Sequence, residues 1–251
     1  MSLTAIILTL NEAKHLPDCL ASVRWADEVL VLDSFSADRT VEIAREMGAR
    51  VEQRAFANYA AQRDAALALA RGDWVLFVDA DERVSDALRD EVQALLSVVR
   101  RPSSVGYWIP RQNYIFGAWV RHTGWYPDRQ LRLLERTRAR YDPLRPVHEL
   151  VVLDGEAGVL HGHLLHLNYE TVGEFVRKQK QYARYDAQKL YAEGVRARPH
   201  HFVLQPWREF RRRYVTLDGW RDGWRGLLLS ALMAWNTFEV YRLLAKQKAG
   251  G

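Results

Sequence analysis

Asp79, Asp81 and Glu82 close an apolar run of strand length, Trp74-Val-Leu-Phe-Val, and put three carboxylates within four residues. A β-branched and aromatic run of that length reads as a buried strand. Open α/β sheets bind ligands at the carboxyl ends of such strands. Asp79 and Asp81 are two apart, so they share a side if the extended conformation continues through Ala80. Neighbouring carboxylates repel unless a cation screens them. Mg²⁺ or Mn²⁺, held by one or two carboxylates plus substrate phosphates, suits that pattern. An isolated Asp-x-Asp is more often a solvated turn capping the next helix, and the other strand ends argue against that here. The first strand runs into Thr9-Leu-Asn11-Glu12 and the second into Asp33-Ser-Phe-Ser36-Ala-Asp38-Arg-Thr40. Ser36 or Asp38 alone would be a helix cap. Three polar strand ends converging on one sheet edge make a pocket. The Walker lysine loop and the Gly-x-Gly-x-x-Gly fingerprint are both absent, so a metal on Asp79/Asp81 is left to neutralise phosphates.

The elements that must position these groups alternate. Residues 3–10 are a strand, followed by a helix near 13–23 with Leu16, Leu20 and Val23 on one face. Residues 29–32 form a second strand ending at Asp33. A helix near 38–47 follows, terminated by Gly48. Val51 marks a short third strand. Residues 59–70 are an alanine-rich helix closed by Gly72, and Ser85 caps a helix running to about 98. Such alternation implies right-handed crossovers and a largely parallel sheet. After 101–102 the rhythm changes. Residues 107–110 and 130–134 are strands separated by an aromatic loop, 113–128. Residues 146–167 are strand and turn, 171–191 a helix, and the remainder basic and helical. The fold class is α/β, with a mostly parallel, Rossmann-like sheet flanked by helices and a basic helical extension.

The 251 residues suffice for one large α/β domain, and 48% hydrophobic with 27% charged content is ordinary for a globular chain. Cys19 is the single cysteine, which excludes an intrachain disulfide and fits a reducing compartment. The first apolar run is too short for a signal peptide. Residues 1–150 carry 20 Lys/Arg against 21 Asp/Glu, whereas residues 151–251 carry 16 against 10. The basic rear suits a phosphate-rich or anionic-membrane partner, and a solvated basic face fits the charge equally well.

Thr9-Leu-Asn11-Glu12, Asp33-Ser-Phe-Ser-Ala-Asp38-Arg-Thr, Gln62-Arg63, Gly72-Asp73 and Asp79-Ala-Asp81 occur in the order seen in family 2 glycosyltransferases, and over residues 3–98 the chain resembles that family closely. The rest is similar to the bacterial branch containing lipooligosaccharide core β-1,4-glucosyltransferases, through Trp125-Tyr-Pro-Asp128-Arg-Gln-Leu-Arg, Pro146-Val-His148-Glu149 and His166-Leu-Asn-Tyr169. The resemblance implies a GT-A fold and a nucleotide-diphosphate sugar donor. Residues 1–100 would be the nucleotide-sugar half, 101–195 the acceptor half, and 196–251 a basic amphipathic tail. Thr9, Asp33 and Arg63 would contact the uracil, with Asn11 and Glu12 close to the nucleoside. Asp79 would hold the ribose or the metal's outer shell, and Asp81 the divalent ion. His166 would complete the cation site, as a histidine does in some GT-A enzymes.

Family 2 enzymes invert by single displacement, so one acceptor-side carboxylate serves as general base. Asp128 is the expected base and Glu149 the reserve; Asp128 as a turn residue paired with Arg129 or Arg132 is the competing reading. The Gln-x-x-Arg-Trp motif of processive relatives is missing, which argues for transfer of a single sugar. His161 and His163 fall on the opposite strand face from His166, so the three are not a zinc cluster. Trp25 and Trp74 are expected in the core. Trp119 and Trp125 are the expected acceptor-stacking pair, flanked by Arg121 and Arg129 for anionic acceptor groups.

The longest uncharged run near the carboxyl end, 226–238, is too short to span a bilayer. Leu228, Leu232, Trp235 and Phe238 recur at helical spacing, and 196–213 hold six arginines and one acid with aromatic residues interleaved. Peripheral contact with the cytoplasmic face of an inner membrane is expected, where a lipid-linked acceptor would reside. The whole reads as a hexosyltransferase, with UDP-glucose as donor and a glycolipid such as the lipopolysaccharide inner core as acceptor. An aspartate-based phosphohydrolase, a nucleotidyltransferase and a non-enzymatic anionic-surface protein are the alternatives. Nucleic acid is not an expected partner, because the front half is neutral.

Overall fold

A computed structural model describes residues 1–98, 102–141 and 151–247. The chain divides into two compact units, Met1–Arg111 with Asp128–His166, and Gln112–Pro127 with Leu167–Gly251.

In the first unit the order is β1 (Leu3–Thr9), α1 (Leu16–Val23), β2 (Glu28–Asp33), α2 (Thr40–Glu46), β3 (Arg50–Gln53), α3 (Tyr59–Leu69), β4 (Trp74–Asp79), β5 (Glu82–Val84) and α4 (Asp86–Val98). Next come β6 (Gly106–Ile115), β7 (Ala118–Trp119), β8 (Asp128–Glu135), β9 (Ala139–Tyr141), β10 (Val151–Leu153), β11 (Ala157–Val159) and β12 (Leu164–Tyr169). β7 lies in the second unit, and β6 and β12 run from one unit into the other. The sheet order is β3-β2-β1-β4-β8-β6-β12-β5. Its first four strands are parallel, β8 is antiparallel to β4 and β6, and β12 is antiparallel to β5. β9 and β10 form a separate antiparallel pair.

The unbroken apolar runs of β1 and β4 have a direct cause. Alternate side chains enter opposite faces of a sheet, and both faces are covered. Ala5, Ile7, Trp74, Leu76 and Val78 join one core with α1 and α4, while Ile6, Val75 and Phe77 join another with α3. Leu16, Leu20 and Val23 are buried on one face of α1, Trp74 is fully buried and Trp25 packs against the same core. Gly48 takes φ +83°, the left-handed position that ends α2. Ser85 Oγ accepts from Leu88 N at 3.3 Å, capping α4. Only glycine fits at 162, where a Cβ would lie 2.3 Å from Leu88 Cα. That contact seats the turn leading into β12 directly on α4.

The second unit is built from α5 (Val172–Ala192), α6 (His201–Arg211) and α7 (Gly223–Gln247), with a π-helical turn, Arg212–Thr216, continuing α6. Thr171 caps α5 by accepting from Glu174 N at 3.2 Å. α5 and α6 both pack on α7. Because α7 is flanked on two sides, its buried positions are Gly226, Leu229, Ser230, Asn236, Val240 and Leu244. The stripe Leu228, Leu232, Trp235 and Phe238 is therefore displaced from the most buried line, and Phe238 is exposed. Among the described residues no helix is long and apolar enough to cross a membrane.

Candidate active site

Parallel register sets the first geometry. Thr9 pairs with Asp33 across β1 and β2, and Leu8 with Asp79 across β1 and β4, so the carboxyl ends of three adjacent strands align. Asp33 is buried, and its Oδ1 accepts from Thr9 Oγ1 at 3.0 Å and from Ser36 Oγ. Its Oδ2 accepts from Ser36 N at 2.9 Å and Gln53 Nε2 at 3.0 Å. Burial pushes the carboxyl up, but the donors on Ser36, Gln53 and Thr9 outweigh it and hold Asp33 below the usual carboxylate range.

The loop after β1 is tied to the loop after β2. Asn11 adopts φ +58°, its N–H donates to Ser36 Oγ at 2.8 Å, and its Oδ1 accepts from Ala37 N at 2.8 Å. Glu12 N donates to Thr40 Oγ1 at 2.8 Å. Asp38 accepts from Ala13 N at 3.2 Å and Thr40 N at 3.0 Å, so it clamps both loops rather than simply capping α2.

The end of β4 departs from the extended course expected through Ala80. Ala80 and Asp81 form a turn, because the Glu82 carboxylate reaches back to accept from Asp79 N at 2.9 Å. Arg83 Nη1 braces the turn by donating to Ala80 O at 2.9 Å. The two aspartates consequently have different surroundings. Asp79 accepts from Arg63 Nη2 at 3.2 Å and Arg132 Nη1 at 3.2 Å, with a further short bond from Arg132 Nη2. Burial raises the Asp79 carboxyl, and Arg132 and Arg63 more than reverse this, holding it well below the usual range. Arg63 also lies over the Phe77 ring, 5.1 Å from its centroid. Asp81 instead meets His166, with Oδ2 and Nε2 3.4 Å apart. The antiparallel pairing of His166 with Glu82, across β12 and β5, brings that imidazole there.

Glu82, Arg111 and Arg132 extend the cluster. Glu82 is fully buried, and its Oε1 lies 3.2 Å from Arg111 Nη1 and 3.7 Å from Arg132 Nη2. Arg132 is 4% exposed; burial lowers its guanidinium, and Asp79 with Glu82 carries it above the ordinary value. Arg111 continues to Asp128, whose Oδ2 accepts from Arg111 Nε at 2.9 Å and Nη2 at 2.6 Å. Gln130 Nε2 donates to Asp128 Oδ1 at 2.8 Å. Asp128 is thus paired with Arg111, which stands opposite it across β6 and β8. Arg129 is exposed on β8. Cys19 donates to Asp79 O at 3.5 Å, and burial pushes its thiol far above the usual range, so it is a packing group.

Glu149, His148 and Pro146 lie outside the described residues. His161 and His163 stand in the turn before β12: His161 N donates to Glu91 Oε2 at 2.9 Å, and His163 N to Ser85 Oγ at 3.2 Å. Among the described residues, no group of three or more His, Cys, Asp or Glu side chains is arranged to hold a metal alone. Asp81 with His166 supplies an oxygen and a nitrogen donor, a pair that fits a divalent ion whose remaining positions are filled by substrate oxygens and water.

In the second unit, Trp125 packs in a cluster with Tyr169 and Phe175, at centroid distances of 6.2 and 6.3 Å. Trp119 contacts Tyr126 edge-on at 5.5 Å, and Arg121 lies over its ring at 4.2 Å. Asp222 fixes that loop by accepting from Arg121 N at 3.1 Å and His122 N at 2.9 Å. Glu82, Arg111 and Arg132 are the site residues that sequence reasoning passed over. Glu82 stood inside the carboxylate motif, whereas nothing in the sequence tells a buried clamp arginine from a surface one.

A doubly covered mixed sheet, parallel over β3-β2-β1-β4 and extended by antiparallel strands, with Asp33 and Asp79 at the ends of the two strands that flank β1, is the architecture of the GT-A transferases. Staphylococcus aureus TarS residues 1–349, solved in complex with UDP, shares it, with a TM-score of 0.50 at 15% identity over 100% of this chain and 92% of that one. The description "Glycosyl transferase family 2" matches residues 4–151, and the chain belongs to that family. The lipopolysaccharide core biosynthesis glycosyltransferase LpsC of Rhizobium meliloti (strain 1021) is 30% identical over 254 residues, covering 99% of this chain and 92% of LpsC. An uncharacterized glycosyltransferase of Rickettsia bellii (strain RML369-C) is 37% identical over 108 residues, 43% of this chain and 37% of that protein. The chain is therefore a family 2 glycosyltransferase, similar over nearly its whole length to LpsC, and the phosphohydrolase and non-enzymatic alternatives are set aside.

Two predictions follow from the charge cluster. Arg132→Met leaves Asp79 and Glu82 without their buried partner, and urea unfolding at neutral pH is expected to show a loss of about 3–5 kcal/mol. A loss within the range of a surface substitution would show that Arg63 and Arg111 suffice. Asp33 has a depressed folded pKa, so its contribution is present above the unfolded value of about 3.9 and lost as pH falls through the folded one. Asp33→Asn is expected to flatten the fall of unfolding free energy below about pH 4. An unaltered slope would mean that Asp33 is not protonated on acid unfolding.

Proposed function

We propose that the protein is an inverting, metal-dependent hexosyltransferase that moves one sugar, glucose from UDP-glucose, onto a cell-envelope glycolipid such as the lipopolysaccharide inner core. The observation that carries this is the meeting of Thr9 and Asp33, of Asp79 with two arginines, and of Asp81 with His166, at the ends of adjacent elements of one sheet. The family assignment, the likeness to LpsC and the UDP in the TarS structure support it.

In this reading Thr9, Asp33 and Arg63 face the uracil, with Asn11 and Glu12 beside the nucleoside. Asp79 orients the ribose or the outer shell of the metal, since its oxygens are already engaged by Arg63 and Arg132. Asp81, with His166, holds Mg²⁺ or Mn²⁺, which would act as a Lewis acid on the departing diphosphate. Asp128 takes the proton of the acceptor hydroxyl as that oxygen attacks the anomeric carbon from the side opposite the leaving nucleotide. Arg111 fixes the orientation of that carboxylate. Glu149 is the other candidate base. Trp119 and Trp125 stack on acceptor sugars, and Arg121 and Arg129 meet anionic groups on the acceptor. Working on a lipid-linked acceptor places the enzyme at the cytoplasmic face of the inner membrane.

Titration calorimetry of UDP, with Mn²⁺ and then with EDTA, tests the donor site. Binding should require the metal, and Asp81→Ala should lower kcat/KM by on the order of 10²–10³. Metal-independent UDP binding that survives Asp81→Ala would refute the assignment. Asp128→Asn should lower transfer by about 10²–10⁴ without weakening UDP binding. The same loss in Glu149→Gln with Asp128→Asn active would move the base to Glu149.

A further inference from the structure

No residue of α6 is buried, and its exposed face carries the apolar side chains. Val203 is 69% exposed, Leu204 50% and Trp207 60%, and along the π-helical turn Val215 is 56% exposed. Arg208, Arg211 and Arg212 share that face. Recurrence at about every fourth residue makes one continuous stripe. The acid of this helix is already neutralised: Glu209 pairs with Arg212 at 2.9 Å and Arg213 at 2.5 Å. Phe202 is on the inner side, its ring 5.9 Å from Phe238 of α7. At the start of α7 and in the turn before it, Trp220, Trp224 and Leu227 are 58%, 59% and 47% exposed. Single exposed apolar residues are ordinary, but a clustered set of aromatic and aliphatic side chains beside arginines marks an interaction surface.

Charge selects the occupant. Residues 196–247 carry ten Lys/Arg against four Asp/Glu. Of those acids, Glu209 and Glu239 are ion-paired, and Asp222 is engaged by backbone N–H groups of the 121–123 loop. Among the described residues, neither Arg208 nor Arg211 has a carboxylate partner. They line a groove between α6 and α7 with Gln205, Trp207, Arg212 and Thr237, which Glu209 also borders. Guanidinium forks beside an amide and a hydroxyl suit phosphate oxygens. Trp at the rim of such a groove suits the headgroup layer of a bilayer, where an aromatic ring meets both water and acyl chain.

We propose that the exposed face of α6 and its π-helical turn docks on an anionic phospholipid bilayer, with Val203, Leu204 and Trp207 entering the interface and Arg208 and Arg211 holding lipid phosphates in the adjoining groove. This deepens the reading that the acceptor is a membrane glycolipid, by naming the surface that keeps the enzyme there.

Flotation of the full chain with phosphatidylcholine vesicles, with and without phosphatidylglycerol, tests it. Binding should require phosphatidylglycerol and weaken with salt. Arg208→Gln with Arg211→Gln should lower the partition coefficient by about 30-fold, and Val203→Ser with Trp207→Ser by about tenfold. UDP calorimetry on each variant reports folding, since none of these residues belongs to the donor site. A wild-type chain that binds UDP but ignores phosphatidylglycerol vesicles would overturn the docking surface and leave the transferase reading standing. Vesicle binding without UDP binding would do the reverse. Light scattering that shows a dimer dissociated by Val203→Ser/Trp207→Ser would assign the face to a second copy and overturn the proposal.

Discussion

Arg132 lies at 4% exposure between the carboxylates of Asp79 and Glu82, and the carboxyl end of β4 is organised around that buried charge. Burying one ion is prohibitive, and burying a set works only when each member is matched. The guanidiniums of Arg63, Arg111 and Arg132 meet Asp79, Glu82 and Asp128 in one chain of contacts. The matching fixes the backbone too, because Glu82 also accepts from Asp79 N. A turn replaces the straight strand, and the two aspartates part.

That parting assigns different work to carboxylates that look equivalent. Asp79 is saturated by arginine donors, so its oxygens are already engaged. Asp33 is likewise saturated, by Thr9, Ser36 and Gln53. Asp38 ties two loops together. Asp81 is the member of the motif set beside an imidazole, and it is therefore the carboxylate most suited to share a cation. Rigid preorganisation of this kind lets a site stabilise developing charge without rearranging during the reaction.

The second unit solves a different problem. Its core gathers Trp125, Tyr169, Phe175 and Leu229, and α7 is buried along a line set by two neighbouring helices. Trp125 is drawn into that core, whereas the ring of Trp119 meets Tyr126 edge-on and lies under Arg121. α6 turns Phe202 and Glu209 inward, and the π-helical turn adds Arg213, which leaves valine, leucine and tryptophan on the outside.

Sequence by itself determined the alternating strands and helices from β1 to α4, apart from the short β5, and the family. Strand-length apolar runs, helix caps and a glycine at the left-handed end of α2 act through near neighbours, so Leu16, Leu20, Val23, Ser85 and Gly48 could be read one segment at a time. The ordered polar strand ends did the same for the carboxylate pocket. Tertiary structure alone decided the partners. Arg132 reaches Asp79 across 53 residues, Arg111 reaches Glu82 across 29, and His166 meets Asp81 only because β12 returns beside β5. Such pairings depend on sheet order and on which charges the core can match, and neither leaves a local trace. The same reason explains why the buried line of α7 ran through Leu229 and Val240: a helix packed on two sides takes its burial from both neighbours, not from its own periodicity.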